Sequence, residues 1–189
     1  MLLPILLFVL IVLLIFMVEL RILAYAYRKI GVPPRYMFVI MLLTLVGSRI
    51  EIPLFSVGSV GVVINVGGAL VPILLSLYLF VRLRLRARML IATAIMAAIV
   101  HSLAWIVPGM GIAVPRLAPP LAAAGVALVL SFRQAPPVAY VAGSMGTLIG
   151  ADILNLHRLA EIGAPVVSIG GRGTFDSVFL TGIIAGLLA

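Results

Sequence analysis

Long apolar runs separated by short polar or basic stretches repeat along the whole 189-residue chain. Runs of about 20 residues that are almost free of charge are typical of helices that cross a membrane. The pattern therefore predicts an all-α polytopic membrane protein, with about seven transmembrane helices in a single integral membrane domain, residues 1–189. The predicted helices are 2–24, 36–46, 60–81, 89–107, 118–132, 138–156 and 174–189.

Two short stretches depart from the helical pattern. Ile50, Ile52 and Leu54 alternate with Glu51 and Pro53, which favours an extended segment near 50–55. A second extended segment is expected near 164–169. Each precedes a glycine-rich stretch, 58–68 or 170–176, which we interpret as the start of a broken or re-entrant helix.

Composition supports the membrane class and narrows the function. The chain is 65% hydrophobic and 10% charged, whereas soluble domains are about 45–50% apolar and about 25% charged. The net charge of +8 comes from basic residues at segment ends, which favours membrane lipids as partners and argues against nucleic acid. With no cysteine and two isolated histidines, we expect no metal site and no cofactor.

The basic residues also predict an orientation. Arginine and lysine are concentrated in the loops after the first, third and fifth predicted helices. Since such loops usually lie in the cytoplasm, the N-terminus is expected outside the cell membrane and the C-terminus in the cytoplasm.

The two aspartates of the chain, Asp152 and Asp176, are the strongest candidates for chemistry. An acidic side chain at membrane depth costs about 2.5–3.5 kcal/mol unless it is paired, hydrated or protonated. Asp152 lies late in the sixth predicted helix and Asp176 at the start of the seventh, so an antiparallel pair of helices would bring them face to face. Alternatively, Asn155 or Arg158 could bond to Asp152, and Arg172 to Asp176.

This arrangement resembles the intramembrane aspartyl proteases of the presenilin, signal-peptide-peptidase and prepilin-peptidase type. In those families the second aspartate follows a Gly-x-Gly motif, and here Gly171-Arg172-Gly173 precedes Asp176 with two residues between. The resemblance implies a paired-carboxylate site of Asp152 and Asp176. The chain also resembles a small uncharacterised family of prokaryotic multi-pass proteins, through Gly150-Ala151-Asp152 and Gly173-Thr174-Phe175-Asp176.

Three hypotheses follow. In the first, the protein is an intramembrane aspartyl hydrolase whose catalytic residues are Asp152 and Asp176 and whose substrate is a membrane-embedded peptide. The candidate substrate-binding residues are Asn65, Gly170, Gly171, Gly173 and Thr174. In the second, Asn65 and the two aspartates line the site of a small ion- or proton-coupled transporter or channel-like protein. In the third, the aspartates are bonded to arginines and have a structural role.

Overall fold

The computed structural model describes residues 2–171 and 177–189, most of which are helical. The helices are α1 (Leu2–Lys29), α2 (Pro34–Gly47), α3 (Val71–Arg82), α4 (Arg86–Leu103), α5 (Ala118–Ser131), α6 (Ala135–Thr147), α7 (Leu159–Ile162) and α8 (Ser177–Leu188). The strands are β1 (Glu51–Val57), β2 (Val60–Asn65), β3 (Trp105–Val107), β4 (Gly111–Ala113) and β5 (Val166–Ile169). Two π-helical turns, Val66–Leu70 and Leu148–Asp152, lead into α3 and out of α6.

Within these described ranges, three helical stretches are long and apolar enough to cross a membrane: Pro4–Lys29, Arg86–Leu103 and Ala118–Arg158. The third contains both α5 and α6. The backbone leaves the helical region at Ser131 (φ −156°, ψ 60°) and Gln134 (φ −134°, ψ 38°), so that α5 and α6 pack against each other. The apolar helices indicate a membrane protein, but fewer of them reach spanning length than the seven predicted from the sequence.

Helix α6 is the centre of the helical packing, and nearly every residue from Ala135 to Thr147 is buried. It contacts α4, α5 and α8. Small residues allow the close approach, because a β-carbon at Gly146 would collide with Met96, and one at Gly182 would collide with Ser144. Such close contacts between helices are typical of membrane bundles.

The third predicted helix, 60–81, is wrong in its first part. Residues 60–65 form β2, which pairs with β1 in an antiparallel hairpin closed at Gly58 (φ +62°) and Ser59. The β-branched residues of β2 fit a strand as well as an apolar helix, and the turn at the glycine decides for the strand. The helix begins only at Val66.

The two predicted extended segments are both strands of one sheet. Strand β5 pairs in parallel with β2, from Gly61 opposite Val166 to Ile64 opposite Ile169. The strand order β1–β2–β5 leaves β5 at one side of the sheet, with α6 and α8 nearby in sequence.

A second hairpin, β3–β4, lies where the hydrophobic pattern predicts the end of the fourth helix, 89–107, and the connection to the fifth. The helix ends at Leu103. Trp105 then pairs with Ala113, and the Gly109 N–H in the connecting turn donates to the Ile162 carbonyl (2.7 Å).

The two ends of the bundle differ in charge. Helix α1 continues to Lys29 instead of ending near 24, because no glycine or proline interrupts it before Gly31. Lys29 Nζ donates to the Leu187 carbonyl (2.7 Å), Arg82 to the Gly31 carbonyl (3.4 Å) and Arg88 to Ser131 Oγ (3.1 Å). These contacts gather one set of basic residues at what we call the basic end: Arg28, Lys29, Arg35, Arg82, Arg84, Arg86, Arg88 and Arg133. The sheets lie at the other end, which we call the sheet end.

Candidate functional site

Asp152 lies where α6 changes its helical pitch at the sheet end. The chain passes from α6 through the π-helical turn Leu148–Asp152 into a 3₁₀ segment, Ile153–Arg158. Gly150 lies against α4, where a β-carbon would be 2.5 Å from the Ala97 carbonyl oxygen. A π-helical turn interrupts the regular hydrogen-bond pattern and is often found at functional sites.

Asn155 is the polar side chain that supports this turn. It is 1% exposed, and its Nδ2 donates to the carbonyls of Gly150 (2.9 Å) and Ala151 (3.0 Å). The same nitrogen lies 3.2 Å from Nδ1 of His101 on α4. The amide of Asn155 therefore stabilises the turn that carries Asp152 and connects this turn to α4.

The carboxylate of Asp152 accepts a hydrogen bond from the Gly170 N–H (2.8 Å), just after β5. The Pro165 carbonyl faces β2, where it accepts from the Gly61 N–H (2.9 Å). Since backbone groups of alternate residues point to opposite sides of a strand, those of Ser168 and Gly170 point away from β2. Asp152 thus lies at the outer edge of β5.

Glycine is required at position 170 for two reasons. Its φ of +80° lies in the left-handed region, and a β-carbon would be 2.5 Å from the β-carbon of Ala69. Gly171 has a φ of +69°, and its N–H donates to the Ser168 carbonyl (3.2 Å). The two glycines turn the chain sharply after β5 and direct the Gly170 N–H at the carboxylate.

Asp152 opens on a cavity of about 440 Å³ whose lining is partly polar. The cavity is lined by the β3–β4 turn, the 3₁₀ segment with α7, and the end of β5. It also reaches Ser177, the first residue of α8. Its lining residues are Gly109, Met110, Gly111, Ile112, Asp152, Leu156, Leu159, Val167, Ser168, Ile169, Gly171 and Ser177.

The structure brings part of the predicted site together. Asp152, Gly170 and Gly171 lie around this cavity. Gly173, Thr174 and Asp176 fall outside the described residues, although Ser177, which follows Asp176 in the sequence, lines the same cavity.

Asn65 is placed differently from the other predicted site residues. It is fully buried, and its Oδ1 accepts from the Gly68 N–H (2.7 Å) while its Nδ2 donates to the Ser48 carbonyl (2.9 Å). It caps the helical turn that leads into α3 and does not line the cavity. Gly68 packs directly against the Gly170 carbonyl, so Asn65 supports the wall behind the site.

The sequence pattern of one protein family, described as a protein of unknown function (DUF1614), matches residues 15–188. The chain belongs to this family. This confirms the expectation of an uncharacterised family, while the likeness to aspartyl proteases stays a prediction. No curated protein and no solved structure matches the chain.

Two of the contacts expected for Asp152 are made with other groups. The amide nitrogen of Asn155 bonds to Gly150, Ala151 and His101, as described above. Arg158 makes an ion pair with Glu161 (3.4 Å). Over residues 2–171 and 177–189, no three or more histidine, aspartate or glutamate side chains are grouped so as to hold a metal ion.

Sequence reasoning missed three parts of the site: the β3–β4 turn, Ser168 and the supporting role of Asn155. The strands β3 and β4 have only three residues each, too few for a recognisable alternation. The signal for a hairpin in the sequence was the closely spaced pair of glycines, Gly109 and Gly111. Both have a positive φ in the structure (76° and 137°).

Proposed function

We propose that the protein is an intramembrane aspartyl hydrolase that cleaves extended peptide segments, with Asp152 and Asp176 as its catalytic carboxyl groups. The observation that carries the proposal is the position of Asp152, at the outer edge of β5 and on a partly polar cavity. Ser177, which follows Asp176 directly in the sequence, lines the same cavity.

The edge of β5 supports a peptide as the substrate. An extended peptide lying in the cavity would accept a backbone hydrogen bond from the Ser168 N–H, since the Ser168 carbonyl and the Gly170 N–H already bond to Gly171 and Asp152. The Ser168 N–H is directed to that side, and the carboxylate of Asp152 lies two residues further along. An extended substrate would therefore carry its peptide bonds directly past Asp152.

The chemistry proposed is general acid–base hydrolysis. One carboxylate takes a proton from water as the oxygen attacks the carbonyl carbon, and the other, protonated, gives its proton to the leaving nitrogen. The peptide bond breaks, one carboxyl and one amino product form, and no cofactor is needed. Gly170 and Gly171, which lack side chains, would let the substrate backbone approach the site closely.

We also propose that the chain crosses the membrane seven times, through α1, α2, α3, α4, α5, α6 and α8. Its basic end would face the cytoplasm and its N-terminus the outside. Successive helices run alternately towards the basic end and towards the sheet end, which supports this arrangement. The cavity with Asp152 would then open towards the outer side.

Cleavage of a pool of synthetic single-span peptides by the purified protein in detergent tests the activity, with fragments identified by mass spectrometry. Asp152→Asn and Asp176→Asn should each abolish cleavage and leave the thermal unfolding midpoint close to that of the unmodified chain. Glu161→Gln is the matched control, since Glu161 is an exposed acidic residue at the same end. Undiminished cleavage by Asp152→Asn would refute the assignment.

The absence of cysteine allows a second test that needs no substrate. Asp152→Cys and Asp176→Cys together should be joined by a short bifunctional thiol reagent. The control pair of Asp152→Cys with Arg133→Cys spans both ends of the bundle and should not be joined. No cross-link in the first pair would mean that the carboxyl groups do not face one another.

A proton- or ion-coupled transporter is the second candidate, favoured by the helix broken at Leu148–Asp152. Broken helices with an acidic residue at the break often hold coupling ions. Reconstitution into liposomes with an internal pH-sensitive dye distinguishes the two. Proton flux that Asp152→Asn abolishes, without peptide cleavage by the unmodified protein, would favour the transporter.

A further inference from the structure

An apolar groove of about 410 Å³ runs between α2 and α3 on the outer surface of the bundle. Its walls include Val39, Leu43 and Leu74, of which Leu43 is 53% and Leu74 56% exposed. Its end nearest the basic end is formed by Tyr36 and Tyr78. The groove therefore has an apolar floor at membrane depth and an aromatic mouth where lipid headgroups lie.

Two arginines stand at this mouth, each against one of the tyrosines. The guanidinium carbon of Arg35 lies 4.7 Å from the ring centre of Tyr36, and that of Arg82 lies 5.5 Å from the ring centre of Tyr78. Nη1 of Arg82 also donates to the Tyr78 hydroxyl and to the Gly31 carbonyl (3.4 Å). These contacts hold both cations beside the groove.

The charge at the mouth has no acidic counterpart in the surrounding sequence. The segments that meet at the basic end, 28–35, 82–88, 131–135 and 185–189, contain neither aspartate nor glutamate. Among the described residues, the observed ion pair is Arg158–Glu161, and Glu161 lies at the sheet end. A ligand that brings a negative charge would therefore complete this surface.

We propose that the α2–α3 groove is a binding site for an anionic phospholipid. One acyl chain lies in the groove and the phosphate is bound by Arg82 and Arg35. Arg82 uses Nη1 for its bonds to Tyr78 and Gly31, so Nε and Nη2 can make a bidentate contact with phosphate oxygens. The site is separate from the cavity of Asp152 and does not depend on the proposed hydrolase activity.

Native mass spectrometry of the full chain in a neutral detergent tests this site. The protein is titrated with phosphatidylglycerol and with phosphatidylcholine of identical acyl chains. Both lipids offer the phosphate, but phosphatidylcholine adds a choline cation beside Arg35 and Arg82. We expect this repulsion to weaken its binding about tenfold relative to phosphatidylglycerol. Arg82→Gln should remove this preference and Arg82→Lys should keep part of it, which separates loss of charge from loss of fold.

Two further variants define the location. Arg84→Gln removes the same charge from the same end without touching the groove, and it should bind phosphatidylglycerol as the unmodified chain does. Leu74→Trp narrows the groove and should weaken the binding of both lipids. Equal affinity for the two lipids would overturn the proposal, as would equal losses in Arg84→Gln and Arg82→Gln. Displacement of phosphatidylglycerol by inorganic phosphate at a similar concentration would identify a site for free anions instead.

Discussion

Replacing Asn155 with alanine should destabilise the turn that carries Asp152. The two hydrogens of Nδ2 serve the buried carbonyls of Gly150 and Ala151 and also reach towards the exposed His101 on α4. A side-chain hydrogen bond within a membrane protein contributes about 0.6–1.7 kcal/mol. The loss of two such bonds therefore lowers the free energy of unfolding by about 2 kcal/mol.

For a chain of this length, that loss corresponds to a fall of roughly 4–8 °C in the thermal unfolding midpoint. Thermal unfolding in a neutral detergent measures the midpoint, and a titration with a denaturing detergent measures the free energy. Asn155→Asp is the informative second variant, because it keeps the volume but replaces the donor with an acceptor facing two carbonyls. It should destabilise the protein at least as much as alanine does.

His101→Ala is the matched control. It removes the exposed partner on α4 and leaves both carbonyl bonds of Asn155 in place, so it should cost well under half of the Asn155→Ala effect. If the two alanine variants lose the same stability, or if Asn155→Ala loses less than about 0.5 kcal/mol, the carbonyl bonds do not stabilise the turn and the reasoning is wrong.

Two other substitutions test the walls of the site. Gly170→Ala should lower the unfolding free energy by more than about 2 kcal/mol, because of its φ of +80° and the collision with Ala69. Gly163 also has a positive φ (+69°) but open space around it, so Gly163→Ala should cost only about 1 kcal/mol. Similar unfolding midpoints for the two variants would contradict the close packing at Gly170. Asn65→Ala should cost about 1–3 kcal/mol by removing its two buried hydrogen bonds; a normal unfolding midpoint combined with weakened substrate binding would instead place Asn65 in the site.

The sequence predicted strands β1 and β5 as extended segments, but it predicted a helix where β2 lies. The alternation of Ile50, Ile52 and Leu54 correctly indicated β1. By hydropathy alone, however, the apolar stretch 60–65 is equally suited to a membrane helix. The pairing of β2 with β5, more than 100 residues further on, stabilises it as a strand, and a local pattern contains no information on that contact.

For the candidate site, the sequence identified Asp152 but not its surroundings. Spacing placed Asn155 at i+3, where an amide could reach the carboxylate in a regular helix. The change of pitch at Leu148–Asp152 instead brings the amide under the carbonyls of the preceding residues. For Asn65, the glycines that follow it were the signal of a cap, since asparagine is favoured at helix N-termini.

The parallel pairing of β2 with β5 also sets an order of events during synthesis. Gly61 lies opposite Val166, 105 residues later in the chain (166 minus 61). At about 5–20 residues per second, the nascent β1–β2 hairpin waits roughly 5–20 s for its third strand. During that time the edge of β2 is unpaired, and Gly170, the hydrogen-bond donor to Asp152, has not yet been made. The site can therefore assemble only when the last part of the chain leaves the ribosome, so a prematurely terminated product carries Asp152 without the strand that positions it.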